Sequence, residues 1–130
     1  MHRRDIVEFI MCQVEKDDVV ITSTGLISRE VYDYKDRPLN FYMMGSMGNA
    51  LAIGIGLAMH VKNKVWVING DGSALMGLGA MVTANKLHLS NLKHYIIDNG
   101  CHESTGGQPT SSNDIDFKSI SSSTMVFRVV

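Results

Sequence analysis

Two polar side chains that can bind a metal each follow an apolar run of the sequence. Asp71 lies in Gly70-Asp71-Gly72-Ser73, shortly after the run Val65–Ile68, and Asn99 follows the run Tyr95–Ile97. A carboxylate and an amide oxygen are hard donors that suit Mg²⁺, which often completes its coordination with a substrate diphosphate. The glycines beside Asp71 let backbone N–H groups approach phosphate oxygens. The pattern therefore predicts a metal–diphosphate site; an ordinary Asp-Gly turn after a buried strand is the alternative.

Both apolar runs are predicted to be buried strands of one strand–helix–strand unit. They are short and bounded by turn residues, and the segment Ala74–Lys86 between them is predicted to form one helix. Such a unit has parallel strands and a right-handed crossover. Ligands of open α/β sheets bind at the carboxyl ends of the strands, so Asp71 and Asn99 are expected to meet at one edge.

The remaining sequence predicts further strands and helices around this unit. Helical spacing of apolar residues and short β-rich runs, separated by polar turns, support these predictions. Helices are predicted over about 3–15, 27–34, 49–60 and 114–120, strands over 19–22, 39–43 and 125–130, and a long loop over 100–113. A long loop after such a strand end is a natural lid over a site.

Two other glycine-containing turns also follow predicted strands. Thr24-Gly25 is a candidate diphosphate contact, and a plain helix N-cap is an equally good interpretation of it. Gly45-Ser46-Met47-Gly48 follows the second strand, where Met47 has the plain interpretation of a core methionine.

Taken in order, three motifs resemble the thiamine diphosphate-dependent decarboxylases that act on phosphonopyruvate and sulfopyruvate. The motifs are Phe41–Gly48 (FYMMGSMG), Gly70–Ser73 with Asn99 downstream, and Asn99–Thr110 (NGCHESTGGQPT). The similarity extends from near Met1 to about Phe117. It implies the diphosphate-binding (C-terminal or β) domain of that family over residues 1–130. The implied fold is the three-layer α/β thiamine diphosphate-binding fold, a parallel sheet with helices on both faces, with truncation at the C-terminus left open.

The resemblance also assigns roles to individual residues. Asp71, Asn99 and the Cys101 carbonyl are expected to bind the metal. Met47 is expected to bend the cofactor, and the Gly45 carbonyl to accept a hydrogen bond from its aminopyrimidine. His102, Glu103 and Ser104 are candidate catalytic residues, with a solvated loop as the alternative. The expected cofactor-binding residues are Thr24, Gly25, Gly45, Ser46, Met47, Gly70, Asp71, Gly72, Ser73 and Asn99.

One position departs from the pattern of these decarboxylases. Leu26 and Ile27 follow Thr24-Gly25, where the family tends to have polar residues. The departure makes a contact there with the cofactor or substrate carboxylate doubtful, and it is compatible with a changed substrate or a weakened enzyme.

The implied reaction is decarboxylation of a small 2-oxo acid, 3-phosphonopyruvate or 3-sulfopyruvate, with thiamine diphosphate and Mg²⁺. In this family the glutamate beside the cofactor's pyrimidine ring comes from a pyrimidine-binding domain, which this sequence does not contain. We therefore expect a pyrimidine-binding (α-type) partner subunit or domain in a hetero- or homo-oligomer. The alternative is a truncated or degenerate chain that folds and associates but has no activity of its own.

Composition argues against several other classes of function. The net charge of −1 on 130 residues gives no sign of nucleic acid or an anionic membrane as partner. Cys12 and Cys101 make no disulfide framework, so we expect a reducing, cytoplasmic setting. The longest apolar segment, Ala50–Met59, is too short to span a bilayer.

Overall fold

A parallel sheet forms the centre of the protein, as seen in a computed structural model that describes residues 1–130. Its strands are β1 (Val19–Thr22), β2 (Asn40–Tyr42), β3 (Val65–Gly70), β4 (Leu92–Asp98) and β7 (Thr124–Arg128). They lie in the order β2-β1-β3-β4-β7, and every neighbouring pair is parallel. A separate antiparallel hairpin pairs β5 (Cys101–His102) with β6 (Gln108–Pro109).

Helices cover both faces of this sheet, which confirms the three-layer α/β prediction. Successive residues of a strand point to opposite faces, so Val65 and Val67 of β3 enter one core while Trp66 and Ile68 enter the other. The helices are α1 (Arg3–Met11), α2 (Leu26–Lys35), α3 (Ala50–Ala58), α4 (Asp71–Met76), α5 (Leu78–Leu87) and α6 (Phe117–Ile120). The first core is closed by α3, α5 and α6, and the second by α1 and α2.

The predicted parallel pairing of the two strands that precede Asp71 and Asn99 is confirmed. β3 and β4 are direct neighbours, and Gly70 lies opposite Ile97 in their register. The chain leaves both strands at the same edge, so the residues that follow them start close together in space.

The prediction of one helix over 74–86 is wrong, because the segment is divided at Gly77 into α4 and α5. A side chain at Gly77 would overlap the carbonyl oxygen of Gly48. The backbone of the Gly45–Gly48 turn therefore packs directly on the point where the two helices meet. Asp71 is also the first residue of α4 and not part of a free turn.

Other elements also differ from the predicted ones, because short-range hydrogen bonds form at their ends or within predicted loops. The first helix ends at Met11 instead of Glu15, and Gln13 and Val14 continue it with bonds to residues three positions earlier. The predicted loop over 100–113 contains the β5–β6 hairpin, and a 3-10 turn spans Ser112–Asp114. None of the helices has the length and apolar character that crossing a membrane requires.

Candidate functional site

A pocket at the carboxyl ends of β1, β3 and β4 brings most of the predicted site residues together. The ends of the strands contribute the residues after β1 and β3, and the segment after β4 closes over them. The predicted residues that line the pocket are Thr24, Met47, Gly70, Asp71, Gly72, Ser73, Asn99, Cys101, His102, Glu103 and Ser104.

Three other predicted residues lie outside this lining. Gly45 and Ser46 line a separate, largely apolar cleft with Phe41 and Met44. Gly25 lies behind the pocket, at the N-cap of α2, with a φ of 90°. A Cβ at Gly25 would lie 3.1 Å from the Ser104 hydroxyl, so the loop passes close to the Thr24-Gly25 turn. Gly25 and not Thr24 is the N-cap residue of α2, and no side chain caps the helix there.

The two predicted metal ligands bind the loop that follows β4. Asp71 is only 2% exposed, and its Oδ2 accepts a hydrogen bond from the Thr110 hydroxyl. Asn99 Oδ1 accepts from the Cys101 N–H at 3.2 Å, and Asn99 Nδ2 donates to Glu103 Oε2 at 3.0 Å. The oxygens that could bind a metal are thus held by donors of the 100–110 segment.

Gly72 forms the floor on which two predicted side chains meet. A Cβ at Gly72 would lie 2.5 Å from His102 Cε1 and 3.3 Å from Met47 Cε. Only glycine lets both groups come this close to the backbone. The floor therefore accepts flat or bulky groups that a side chain would exclude.

The Ser73 hydroxyl is part of a buried chain of hydrogen bonds. It accepts from the Gly48 N–H at 3.2 Å and donates to Asn69 Oδ1 at 3.3 Å. Asn69 Nδ2 donates in turn to His94 Nε2 at 3.0 Å. The Ser73 side chain therefore holds the Gly45–Gly48 turn. The group of Ser73 that can bind a phosphate is its backbone N–H.

His94 completes this chain as a neutral imidazole. Because Nε2 accepts from Asn69, the proton is assigned to Nδ1, which donates to the Thr124 hydroxyl at 2.9 Å. Burial lowers the pKa of His94 to about 3, so the ring carries no charge near neutral pH. His94 thus forms a buried polar link that spans the three strands β3, β4 and β7.

Arg3 is a pocket residue that the sequence did not indicate. Its guanidinium donates to both carboxylate oxygens of Glu30, at 2.9 and 2.8 Å, and also to Glu103 Oε2. Glu30 lies on α2 and Glu103 on the loop after β4. No local sequence signal shows that the first turn of α1 reaches these residues, because they lie far along the chain.

The pocket is small, and its chemistry suits a metal-bound anion. It encloses about 70 Å³, well below the ~300 Å³ of ordinary small-molecule sites, and Cys101–Ser104 form part of its lining. No group of three or more His, Cys, Asp or Glu side chains is placed to hold a metal. An oxygen set made of the Asp71 carboxylate, the Asn99 amide and a backbone carbonyl fits Mg²⁺, and the bare Gly72 floor fits a phosphate cradle. Leu26 and Ile27 add an apolar wall.

Comparison with known proteins gives consistent matches. Residues 22–126 match the family described as "Thiamine pyrophosphate enzyme, C-terminal TPP binding domain". The chain is 42% identical over 113 residues to phosphonopyruvate decarboxylase of Streptomyces viridochromogenes, covering 87% of this chain and 28% of that protein. It is 44% identical over 117 residues to sulfopyruvate decarboxylase subunit beta of Methanothermobacter thermautotrophicus, covering 90% and 63%.

A solved structure shares the fold. A Mycobacterium smegmatis protein described as a thiamin diphosphate-dependent enzyme superposes with a TM-score of 0.74 at 20% identity, covering 94% of this chain and 25% of that one. The chain spans less than two thirds of the length of each of these proteins.

Proposed function

Because this chain belongs to the family of the thiamine pyrophosphate enzymes, through their C-terminal TPP binding domain, we propose that it is the thiamine diphosphate- and Mg²⁺-binding subunit of a 2-oxo acid decarboxylase. In this proposal residues 1–130 form one cofactor-binding domain. The observation that carries it is the shared pocket of Asp71, Gly72 and Asn99 at the carboxyl ends of β3 and β4. The alternative of a chain without activity is not favoured.

The proposed ligands are those whose atoms the pocket presents. Asp71 supplies a buried negative charge to the metal, Asn99 an amide oxygen and Cys101 a backbone carbonyl. The N–H groups of Gly72 and Ser73 bind the diphosphate oxygens, and Met47 supplies an apolar contact over the Gly72 floor. When bound, the cofactor supplies a carbon nucleophile and an electron sink for loss of carbon dioxide.

Loop movement is part of this proposal. In this structure the Thr110 hydroxyl donates to Asp71 and the Cys101 N–H donates to Asn99, and Cys101–Ser104 line the pocket. A metal that takes these oxygens releases both loop contacts. The segment after β4 then moves outward for cofactor entry and returns as a lid, which excludes water from the reaction.

We propose a short dianionic 2-oxo acid as substrate, since the two named relatives are a phosphonopyruvate and a sulfopyruvate decarboxylase. His102, Glu103 and Ser104 face the pocket and are the proposed substrate contacts and proton carriers. The hairpin region beyond them is polar, with an exposed Gln108.

A partner polypeptide is proposed from the name "subunit beta" of the second relative. It would supply the pyrimidine-binding half and its glutamate. The apolar cleft beside Gly45, lined by Phe41, Met44 and Ile53, is the proposed place where that half approaches the cofactor. The two free cysteines suit the proposed reducing, cytoplasmic setting.

The test is a calorimetric titration of thiamine diphosphate into the chain with its partner, in Mg²⁺ and in EDTA. We expect binding in Mg²⁺ only, and none to Asp71→Ala, since one ligand and one charge are lost together. Asp33→Ala is the matched control, because Asp33 lies exposed on α2 and its loss changes the net charge equally. Equal affinity in Mg²⁺ and EDTA contradicts the metal proposal, and absence of binding in both contradicts the cofactor proposal.

A further inference from the structure

Arg3 is the single Lys or Arg side chain among the residues that line the pocket. Its side chain is 17% exposed, so the guanidinium is largely withdrawn from solvent, yet it faces the space where ligands bind. The hydrogen bonds that Arg3 donates to Glu30 raise the pKa of Arg3 above its usual range, and Glu103 adds to this effect. Arg3 is therefore a fixed positive charge in a pocket whose other formal charges are the carboxylates of Asp71 and Glu103.

Glu30 fixes the direction in which Arg3 points. Arg3 Nε and Nη2 donate to the two oxygens of Glu30 at 2.9 and 2.8 Å, a bidentate pair. The Glu30 side chain is 20% exposed and belongs to α2, so this pair joins the two helices of one layer. A guanidinium held along one edge presents its remaining N–H groups in a set direction.

Glu103 occupies the free side of this guanidinium. Arg3 Nη1 donates to Glu103 Oε2, and the same oxygen accepts from Asn99 Nδ2. In contrast to Glu30, the Glu103 side chain is 48% exposed and lies in the loop that closes the pocket. Exposed ion pairs contribute only ~0–1 kcal/mol, so this contact is the weaker of the two that Arg3 makes.

We propose that Arg3 is the receptor for an anionic group of the substrate, and that the Glu103 carboxylate holds this receptor position until the substrate displaces it. The inference rests on the proposed function and deepens it. Carboxylate, sulfonate and phosphonate oxygens all accept N–H bonds from a guanidinium, as Glu103 does here. The charge of Arg3 is balanced by two anions throughout: Glu30 and Glu103 before the exchange, and Glu30 and the substrate after it.

The exchange also explains why the pocket is small in this structure. Glu103 ties the loop to Arg3 and to Asn99, and the enclosed volume is about 70 Å³. Displacement of Glu103 breaks both of these contacts at once and so loosens the loop. An anion that binds Arg3 therefore opens space for itself, and the loop recloses over it through other contacts.

The test measures anion binding and does not need turnover. Sulfoacetate, which has a carboxylate and a sulfonate, is titrated by calorimetry into the full chain with its partner, with and without thiamine diphosphate and Mg²⁺. We expect Glu103→Gln to bind sulfoacetate ~2- to 6-fold more tightly than the wild type, because a contact of ~0–1 kcal/mol leaves Arg3 free for only that fraction of the time and lowers the apparent affinity accordingly. Arg3→Gln is expected to lose this binding.

Glu15→Gln is the matched control. It removes an equal charge from an exposed ion pair, with Lys64, at a distance from the pocket, so it should bind as the wild type does. Because Arg3→Gln leaves Glu30 without its partner, Arg3→Lys is the second variant. It keeps the charge but loses the bidentate geometry, and we expect an intermediate affinity. Cooperative unfolding by urea verifies that each variant is folded.

Any one of four results overturns the inference. Two concern sulfoacetate binding that does not depend on the exchange: Glu103→Gln binds sulfoacetate no more tightly than Glu15→Gln, or no variant binds it at all. The other two concern Arg3: either Arg3→Gln or Arg3→Lys binds sulfoacetate as tightly as the wild type does. A parallel titration with Mg²⁺ and inorganic pyrophosphate tests another source of anion. If Glu103→Gln tightens pyrophosphate binding as much as sulfoacetate binding, Arg3 serves the diphosphate and the substrate assignment is wrong. Failure of thiamine diphosphate to bind, with the sulfoacetate pattern intact, contradicts only the proposed cofactor.

Discussion

Mild acid should destabilise this protein through His94, a ring that is only 2% exposed. Burial lowers the pKa of His94 from 6.5 to about 3. In the unfolded chain the ring regains its ordinary pKa, so below that value the unfolded state binds a proton that the native state does not. The stability contribution is therefore fully present above about pH 6.5 and falls as the pH decreases toward 3.

The size of the effect follows from the width of this interval. Each pH unit between the two pKa values changes the free energy of unfolding by about 1.4 kcal/mol. Lowering the pH from about 7.5 to about 5 crosses roughly 1.5 units of the interval, so His94 alone should remove about 2 kcal/mol. This is a large part of the ~5–15 kcal/mol that stabilises an ordinary domain.

Urea unfolding at both pH values measures the effect, with His94→Gln as the variant. The glutamine does not titrate, so the loss between the two pH values should be about 2 kcal/mol smaller than in the wild type, whatever the stability of the variant itself. His88→Gln is the control, because His88 is exposed and should leave the wild-type loss unchanged. Equal losses in wild type and His94→Gln would refute the reasoning about the buried neutral ring.

Three further predictions follow, one on the packing of the helices after Asp71 and two on the site. Gly77→Ala should lower the free energy of unfolding by ~1–3 kcal/mol in urea titrations, because the new Cβ overlaps the Gly48 carbonyl. Gly79→Ala, which has open space around the new Cβ, should raise the free energy of unfolding by up to ~1 kcal/mol. Similar losses of stability in both variants would contradict the packing argument. Asp71→Asn keeps the shape but removes the charge, so calorimetry should show thiamine diphosphate affinity reduced at least ~10-fold in Mg²⁺, and undiminished affinity would argue against a metal there. Gln108→Ala, assayed in the complex with its partner, should reduce kcat/KM for sulfopyruvate more than for pyruvate; an equal reduction would remove Gln108 from substrate recognition.

Local pattern in the sequence was sufficient for the sheet and for the position of the pocket. The strands β1, β3, β4 and β7 were predicted within a few residues, because buried parallel strands are apolar runs bounded by turn residues. Once β3 and β4 are parallel neighbours, the positions of Asp71 and Asn99 at one edge follow from topology alone.

Tertiary contacts decided what lies around those two residues. The helix break at Gly77 depends on the Gly48 backbone packed against it, and no helix propensity in the segment 74–86 reveals that contact. The direction of the Ser73 hydroxyl depends likewise on Asn69 and on the Gly48 N–H. A side chain with several possible partners takes the one that the fold brings into reach, and sequence spacing does not specify it.

Arg3 shows the same limit most clearly. The residues around Arg3 in the sequence predict only a helix. Its partners Glu30 and Glu103 lie 27 and 100 residues further along the chain. The sequence by itself predicted the cofactor class from its short motifs, and it predicted the strands and the position of Asp71 and Asn99 at one sheet edge from strand periodicity. The charge that faces them, and the carboxylate that covers it, were decided by the packing of α1 against α2 and of the loop against both, because an ion pair forms between groups that the fold brings together.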